Sequence, residues 1–320
     1  MTKILVIGSA GQIGSELTLK LRGLYGNNNV IAGVMELKAA EKLDGEGPLE
    51  IVDVLDRQGL VTVVRKHGID SIINMAAILS ATGEKNPMLA WDVNMNGLIN
   101  VLEVAREFKM KQVLVPSSIA VFGPSSPADH TPQETILKPA TIYGITKVAG
   151  ELLGDYYVKR YGLDVRGLRY PGIISHMTLP GGGATDYAVE IYYEAVKNKR
   201  YTCFVNKDTR LPMMYMPDCL KSTIDLMQAD FSRLDHHCDY NVGAMSFSAG
   251  ELAASVKKYI PEFEITYSPD SRQAIADSWP NSVDDSLARE EWGWEPDYDL
   301  DSMTRDMLRA IGERHDKGLI

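Results

Sequence analysis

The chain alternates between two kinds of segment. Short β-rich runs, KILVI, NVIAGV, LEIVDV, SIINMA and KQVLVP, are separated by longer stretches of helical periodicity, such as MLAWDVNMNGLINVLEVAREF over 88–108. Strands divided by helix-length crossovers pair in parallel, and a parallel sheet needs helices on both faces, so the order predicts an α/β fold with a doubly wound parallel sheet. LDVRGLRYP reads as a sixth strand. Beyond it the order loosens: PGGGATD, starting at Pro180, reads as a flexible loop, and the later strands and helices read as shorter and more mixed. We therefore expect a sheet domain over 1–172, with part of 213–245 returning to it. Residues 173–320 should form mainly a smaller C-terminal lobe over the carboxyl edge of the sheet, where open α/β sheets bind ligands.

Composition removes several classes of partner. At 320 residues, 45% hydrophobic and 24% charged, the chain can bury a sizeable core. Its net charge of -10 is spread without a basic block, which speaks against nucleic acid and against an anionic membrane surface. No apolar run approaches the length of a membrane span, and MTKILVIG lacks the order of a signal peptide, so a cytoplasmic protein is expected. Cys203, Cys219 and Cys238 are odd in number and lack CxxC spacing, so they predict neither disulfides nor zinc.

The first chemical motif is GSAGQIG, with Gly8, Gly11 and Gly14. It follows the strand KILVI directly and opens the helix QIGSELTLKLRGL. In that setting glycines let the backbone approach a pyrophosphate at the positive end of a helix, so Gly8, Gly11, Gln12, Ile13 and Gly14 are candidate dinucleotide contacts on a Rossmann-type sheet. An acidic residue for the ribose is expected about 20 residues beyond Gly14. That position is Val34, and Glu36 is the nearest carboxylate. If Glu36 reaches the ribose, NAD is favoured over NADP; if it faces solvent, selectivity is open. No arginine lies nearby to take a 2′-phosphate, although Lys38 is close.

The second motif is TIYGITKVAGELL, which sets Tyr143 and Lys147 four residues apart on one helix face. An ammonium near a phenol favours the phenolate and lowers its pKa toward working pH, so Tyr143 is a candidate general base for alcohol oxidation. SSIAVFG over 117–123 ends the strand KQVLVP and offers Ser118 as a hydroxyl partner for the reacting oxygen, with Ser117 as its competitor. A serine after a strand is otherwise a turn residue, and an isolated YxxxK a half-buried tyrosine with a solvated lysine.

The GxxGxxG spacing, the serine-bearing turn and the Tyr–Lys pair together resemble the extended short-chain dehydrogenase/reductase superfamily. The rest of the chain resembles more narrowly its L-threonine 3-dehydrogenases, through AAILSATGEKNPMLAWDVNMNG, LRYPGIIS, GGGATDYAVEIYYEAV, LPMMYMPD and DSWPNSVDDSLAREEWGWEPDYDL. The resemblance implies NAD-dependent oxidation of the threonine 3-hydroxyl to 2-amino-3-oxobutanoate. It also implies adenine contacts at Asp53 and Val54, cofactor contacts at Ala76, Ala77 and Asn94, and a nicotinamide neighbourhood from Tyr170 to Ile173. Ser80, Thr185 and Trp279 become candidates around the substrate. Their plainer readings are a helix cap for Ser80, a helix N-cap for Thr185 and core packing for Trp279. A homodimer through the helices over 88–108 and 141–161 follows from the same resemblance, and the glycines 181–183 themselves suggest a mobile lid.

Two other functions share the first half of the chain. One is a sugar-nucleotide epimerase or dehydratase, although the arginine-bearing pattern those enzymes use for a nucleoside diphosphate is not found. The other is a nonenzymatic dinucleotide sensor, which has no use for the Ser, Tyr and Lys set. DHHCD over 235–239 invites a metal, but neighbouring side chains diverge on a strand or helix, so His236, His237 and Cys238 read as a polar loop and no metal is expected.

Overall fold

Ile4–Ile7 occupies the middle of the main sheet with all four side chains buried, which accounts for its lack of a polar residue. The computed structural model describes residues 2–43, 45–178 and 181–320. From one edge to the other the sheet runs Leu49–Ile51, Val30–Val34, Ile4–Ile7, Ser71–Asn74, Gln112–Leu114 and Val165–Arg166, every pair parallel. This is the doubly wound Rossmann-type sheet. Its order reverses between Ile4–Ile7 and Ser71–Asn74, the place where such sheets open a crevice at their carboxyl ends.

The sixth strand is longer than one ladder can follow. It breaks at Gly167, where a Cβ would lie 2.5 Å from the Val115 carbonyl oxygen and 2.6 Å from that of Cys238. Beyond the break Leu168–Tyr170 pairs in parallel with Ser117–Ser118 on one side and with Tyr240–Asn241 on the other, so a late segment completes a separate three-stranded sheet. The helix expected over 88–108 is also interrupted. Pro87–Trp91 and Gly97–Glu107 are joined by a π-helical turn, Asp92–Asn96, which widens the helix at Asn94.

The second half holds a three-stranded sheet, Met245–Ser248, Arg210–Tyr215 and Gly172–Ile174, and a pair, Arg200–Cys203 with Glu264–Tyr267. Its helices are not short. Tyr187–Asn198 and Leu300–Asp316 bury Tyr192, Met303 and Met307 in one cluster with Phe247 and Leu252, and Met216–Gln228 buries Met216 and Leu226 in another with Leu168 and Trp294. The last helix was hidden in the sequence by its charged outer face; Asp299 starts it with a reciprocal cap to Ser302. No helix among the described residues is long and apolar enough to cross a membrane.

Candidate active site

A cleft opens at the carboxyl ends of Ile4–Ile7, Ser71–Asn74 and Gln112–Leu114, and the glycine loop forms its floor. A Cβ on Gly14 would stand 2.2 Å from the Gly8 carbonyl oxygen, and one on Gly8, at φ +81°, would stand 2.9 Å from the Ala76 nitrogen. Only glycine allows this turn. The helix Gln12–Tyr25 starts here with no side-chain cap, leaving its first N–H groups and the positive end of its dipole toward the cleft. Gln12 Nε2 and Asn74 Oδ1 are buried at the cleft without a hydrogen-bond partner. Unmet polar atoms beside a glycine cradle fit a polar, phosphate-bearing cofactor.

Opposite the loop, Thr141 caps the helix Ile142–Tyr161 by accepting a 3.1 Å bond from the Gly144 nitrogen. Gly144 then passes so close to the turn after Ser117–Ser118 that a Cβ would lie 2.2 Å from the Ala120 carbonyl oxygen. This approach carries Tyr143 to Ser118. The Ser118 hydroxyl also accepts from the Ala120 nitrogen at 3.2 Å, so Ser118 is both a turn residue and a cleft residue. Ser117, its competitor, also borders the cleft, but its hydroxyl donates a short hydrogen bond to Glu151.

The cleft brings together Gly8, Gly11, Gln12, Ile13, Gly14, Ala77, Ser80, Ser118, Tyr143, Lys147, Tyr170, Ile173, Thr185 and Trp279. Five other candidates stand elsewhere. Ala76 and Asn94 line a small cavity behind Lys147. Asn94 holds the segment after Ser71–Asn74 in place: its Oδ1 accepts from the Ile78 nitrogen at 2.8 Å, and its Nδ2 donates to the Ile78 oxygen and to Thr146 Oγ1, each at 3.1 Å. Glu36 is exposed, two residues past Val30–Val34, and Val34 is buried in that strand. Asp53 accepts from the Leu55 nitrogen at 2.8 Å in a turn, and Val54 is buried against Gly97.

The expectation that Lys147 lowers the Tyr143 pKa fails in this structure. Burial pushes the Tyr143 phenol up to about 12, against a smaller pull from the Ser118 hydroxyl, and burial lowers Lys147 to about 8, against the Glu151 charge. The reason is desolvation, which penalises both charged forms. The ammonium donates to the Pro116 carbonyl at 2.6 Å and lies 5.5 Å from the Tyr143 ring centroid, on its face and not at its oxygen.

The plainer readings of two candidates also need correcting. Ser80, 2% exposed, is the first residue of its helix Ser80–Lys85 and not the cap, and Thr185 precedes the N-cap, which is Asp186. Asp186 was missed in the sequence. It is buried in the cleft wall and accepts from the nitrogens of Gly182 and Gly183 at 3.0 and 2.9 Å, which ties the glycine segment to the helix Tyr187–Asn198. The signal was the spacing of GGxxD, an acceptor just before a helix and just after a run of free N–H groups. Pro180, where the sequence-based loop begins, lies outside the described residues. Trp279 both lines the cleft and packs on core side chains.

Among the described residues, Glu134, His236 and Asp239 could gather round an ion. Glu134 meets Nε2 of His236 at 3.4 Å and Asp239 meets Nδ1 at 3.1 Å, so the two carboxylates face the two ring nitrogens, which point apart and can both donate, an arrangement that suits an ion-paired histidine better than a metal. The three cysteines are free and buried.

A glycine-loop crevice facing a Ser–Tyr–Lys set is the signature of a nucleotide-dependent enzyme of the extended short-chain class. Residues 4–243 match the NAD dependent epimerase/dehydratase family, and the chain belongs to that family. More particularly, it is similar to the L-threonine dehydrogenase from Clostridium difficile, at 53% identity, 98% coverage of each chain and a TM-score of 0.95. It is likewise similar to a monomeric L-threonine 3-dehydrogenase of metagenomic origin, at 48% identity, 97% and 99% coverage and a TM-score of 0.93. A curated relative, an uncharacterized epimerase/dehydratase of Staphylococcus haemolyticus, is 49% identical over 98% of this chain and 99% of its own.

Proposed function

We propose that the protein oxidises the 3-hydroxyl of L-threonine, with transfer of hydride to NAD, to give 2-amino-3-oxobutanoate, NADH and a proton. The observation that carries this reading is the end-to-end similarity, at about half identity, to proteins named as L-threonine dehydrogenases, in a chain whose Ser118, Tyr143 and Lys147 face the glycine-loop cleft. Gly8, Gly11, Gln12, Ile13 and Gly14 would hold the pyrophosphate, Glu36 the ribose, Asp53 and Val54 the adenine, and Tyr170 to Ile173 the nicotinamide, with Ala76, Ala77 and Asn94 as further cofactor-binding residues. NAD, when bound there, would supply the hydride acceptor and a positive charge. Tyr143 takes the hydroxyl proton as the C3 hydride leaves, Ser118 hydrogen-bonds the same oxygen, and the Lys147 ammonium favours the phenolate. Ser80, Thr185 and Trp279 surround the substrate.

We infer two lobes, 1–172 with the returning part of 213–245, and 173–320. The pairing of Tyr240–Asn241 with Leu168–Tyr170, a strand of the first lobe, supports that return. A homodimer is supported by apolar side chains exposed on the two helical stretches it would use: Met88, Leu89 and Trp91 on one, Ile145, Leu152 and Tyr156 on the other. The monomeric relative argues the other way. Cytoplasmic residence is in keeping with three unpaired cysteines.

The test is the appearance of NADH when purified protein meets L-threonine and NAD, with NADP, L-serine and L-allo-threonine as controls. Reduction of NAD by threonine supports the proposal; silence with both cofactors across neutral to alkaline pH sinks it.

A further inference from the structure

Tyr143, Lys147 and Glu151 follow one another at four-residue intervals on the helix Ile142–Tyr161, so their side chains stand on one face. The function proposed above uses the first two. Glu151 is 6% exposed and bound on several sides. Arg169 donates Nε to Oε1 at 2.9 Å and Nη2 to Oε2 at 2.8 Å, and Ser117 donates a short hydrogen bond to Oε1. Arg169 is buried too, donating to the Gln133 oxygen at 3.1 Å and to Asn241 Oδ1 at 3.2 Å, with its guanidinium over the Phe122 ring.

A buried ion pair is a poor way to stabilise a helix against a sheet, because apolar side chains of similar size do so without desolvating charge. Nor does Arg169 need Glu151 for neutrality alone, since Asp239 stands 3.6 Å from it. The carboxylate does share a second neighbour. Glu151, Ser117 and Lys147 border a small cavity of about 30 Å³ together with Asn74, Asn94 and Thr146. Across it lies Lys147, the one cation among the described residues that line the cleft, whose described hydrogen bond is to the neutral Pro116 carbonyl.

We propose that Glu151 is a positioning residue: its carboxylate, fixed by Arg169 and Ser117, keeps the Lys147 side chain charged and oriented behind Tyr143. This rests on the roles given to Tyr143 and Lys147 above. Burial drives Lys147 down, and Glu151 is the charge that pulls it back. Side chains four apart on a helix are close neighbours, and at an effective dielectric near 20 a unit charge at that range is worth on the order of one pKa unit. The groups facing this pair are Arg169 and Asp239, the Cys238 thiol, and on the cleft side Tyr143; of these only Arg169 opposes a charged lysine.

The experiment titrates the ε-carbon resonance of Lys147 by ¹³C NMR in lysine-labelled protein, assigned by its loss in Lys147→Met, beside the pH profile of threonine oxidation. Glu151→Gln should lower the Lys147 pKa by about one unit and bring the alkaline fall in kcat down by the same amount, and Glu151→Asp should restore most of both. A Glu151→Gln protein that melts earlier yet leaves the Lys147 titration where it was would make Glu151 purely structural and overturn the proposal. Should Glu151→Gln fail to fold, Ser117→Ala decides: a smaller shift in the same direction supports the proposal, and none overturns it. A wild-type protein inert toward threonine would remove the function proposed above, while the resonance titration would still decide the role of Glu151.

Discussion

Replacing Gly144 by alanine tests how finely the Tyr143 turn is placed. The added Cβ would lie 2.2 Å from the Ala120 carbonyl oxygen and 2.5 Å from Pro139 Cβ. Ordinary C···O contacts begin near 3.3 Å, so the start of the helix must move by about 1 Å away from the turn that carries Ser118. Overpacking of this kind costs about 1–3 kcal/mol of stability. The larger effect falls on chemistry, because a shift of about 1 Å between reacting groups can lower turnover by about 100-fold. The pyrophosphate cradle lies on the other wall and does not share the clash, so NAD affinity should change by less than about threefold on the same reasoning. The assay pairs kcat/KM for threonine oxidation with NAD titration calorimetry and thermal melting. Gly23→Ala, in a helix with nothing within 4 Å of the new methyl, serves as a control that should keep full activity and gain up to about 1 kcal/mol. A folded Gly144→Ala enzyme with kcat/KM within threefold of the wild type would refute the reasoning, since the close approach would then not be what places Tyr143.

Tyr143→Phe removes the proton acceptor and little packing, so turnover should fall by more than about 100-fold with NAD binding nearly unchanged, checked by calorimetry and NADH absorbance. Equal loss of binding would make Tyr143 structural. Lys147, held to about 8 when folded and near 10.5 when unfolded, makes the unfolded chain the stronger proton binder between those values, so stability should rise with pH across that window. The ceiling is about 3 kcal/mol, reduced by solvent in the cleft, and urea melts of wild type against Lys147→Met at pH 7.5 and 10 isolate it; no difference in slope would refute the burial penalty. Leu152→Glu, at an exposed apolar position 67% accessible, should leave light-scattering mass at that of one chain if the helix Ile142–Tyr161 mediates a dimer. A wild type already monomeric at working concentration rules that interface out.

The sheet was legible because its strands are buried on both faces and so carry an unbroken apolar signal: KILVI and NVIAGV could hardly be anything else. The cleft residues were legible for a different reason. Glycine turns and a Tyr–Lys pair have their meaning in local spacing, which the sequence displays directly, and Ser118, Tyr143, Lys147 and Gly8 to Gly14 meet in one cleft. What failed to show depends on partners distant in the chain. Asp186 reveals itself only once Gly182 and Gly183 turn back on it, and the break at Gly167 exists because the backbone at Val115 and Cys238 presses on it from two distant segments. The helix Leu300–Asp316 was obscured by its charges, and the π-helical turn at Asn94 by a hydrophobic pattern that runs on through it.

The one chemical expectation that the structure reverses is also the most informative. Four-residue spacing makes Tyr143 and Lys147 neighbours, and proximity alone would ionise the phenol. Burial acts on both groups at once and in the same sense, toward neutrality, so the pair by itself works against the charge state that catalysis requires. A neutral lysine would give the phenol nothing. The site can therefore function as a base only if other groups restore the charge: Ser118 on the phenol, the positive charge that NAD would bring when bound, and a carboxylate behind the lysine. The third lies four residues further along the same helix face. It was in the motif from the start, as the Glu of TIYGITKVAGELL, and the sequence gives no reason to single it out from any other helix carboxylate until Arg169 and Ser117 are seen to hold it in the interior.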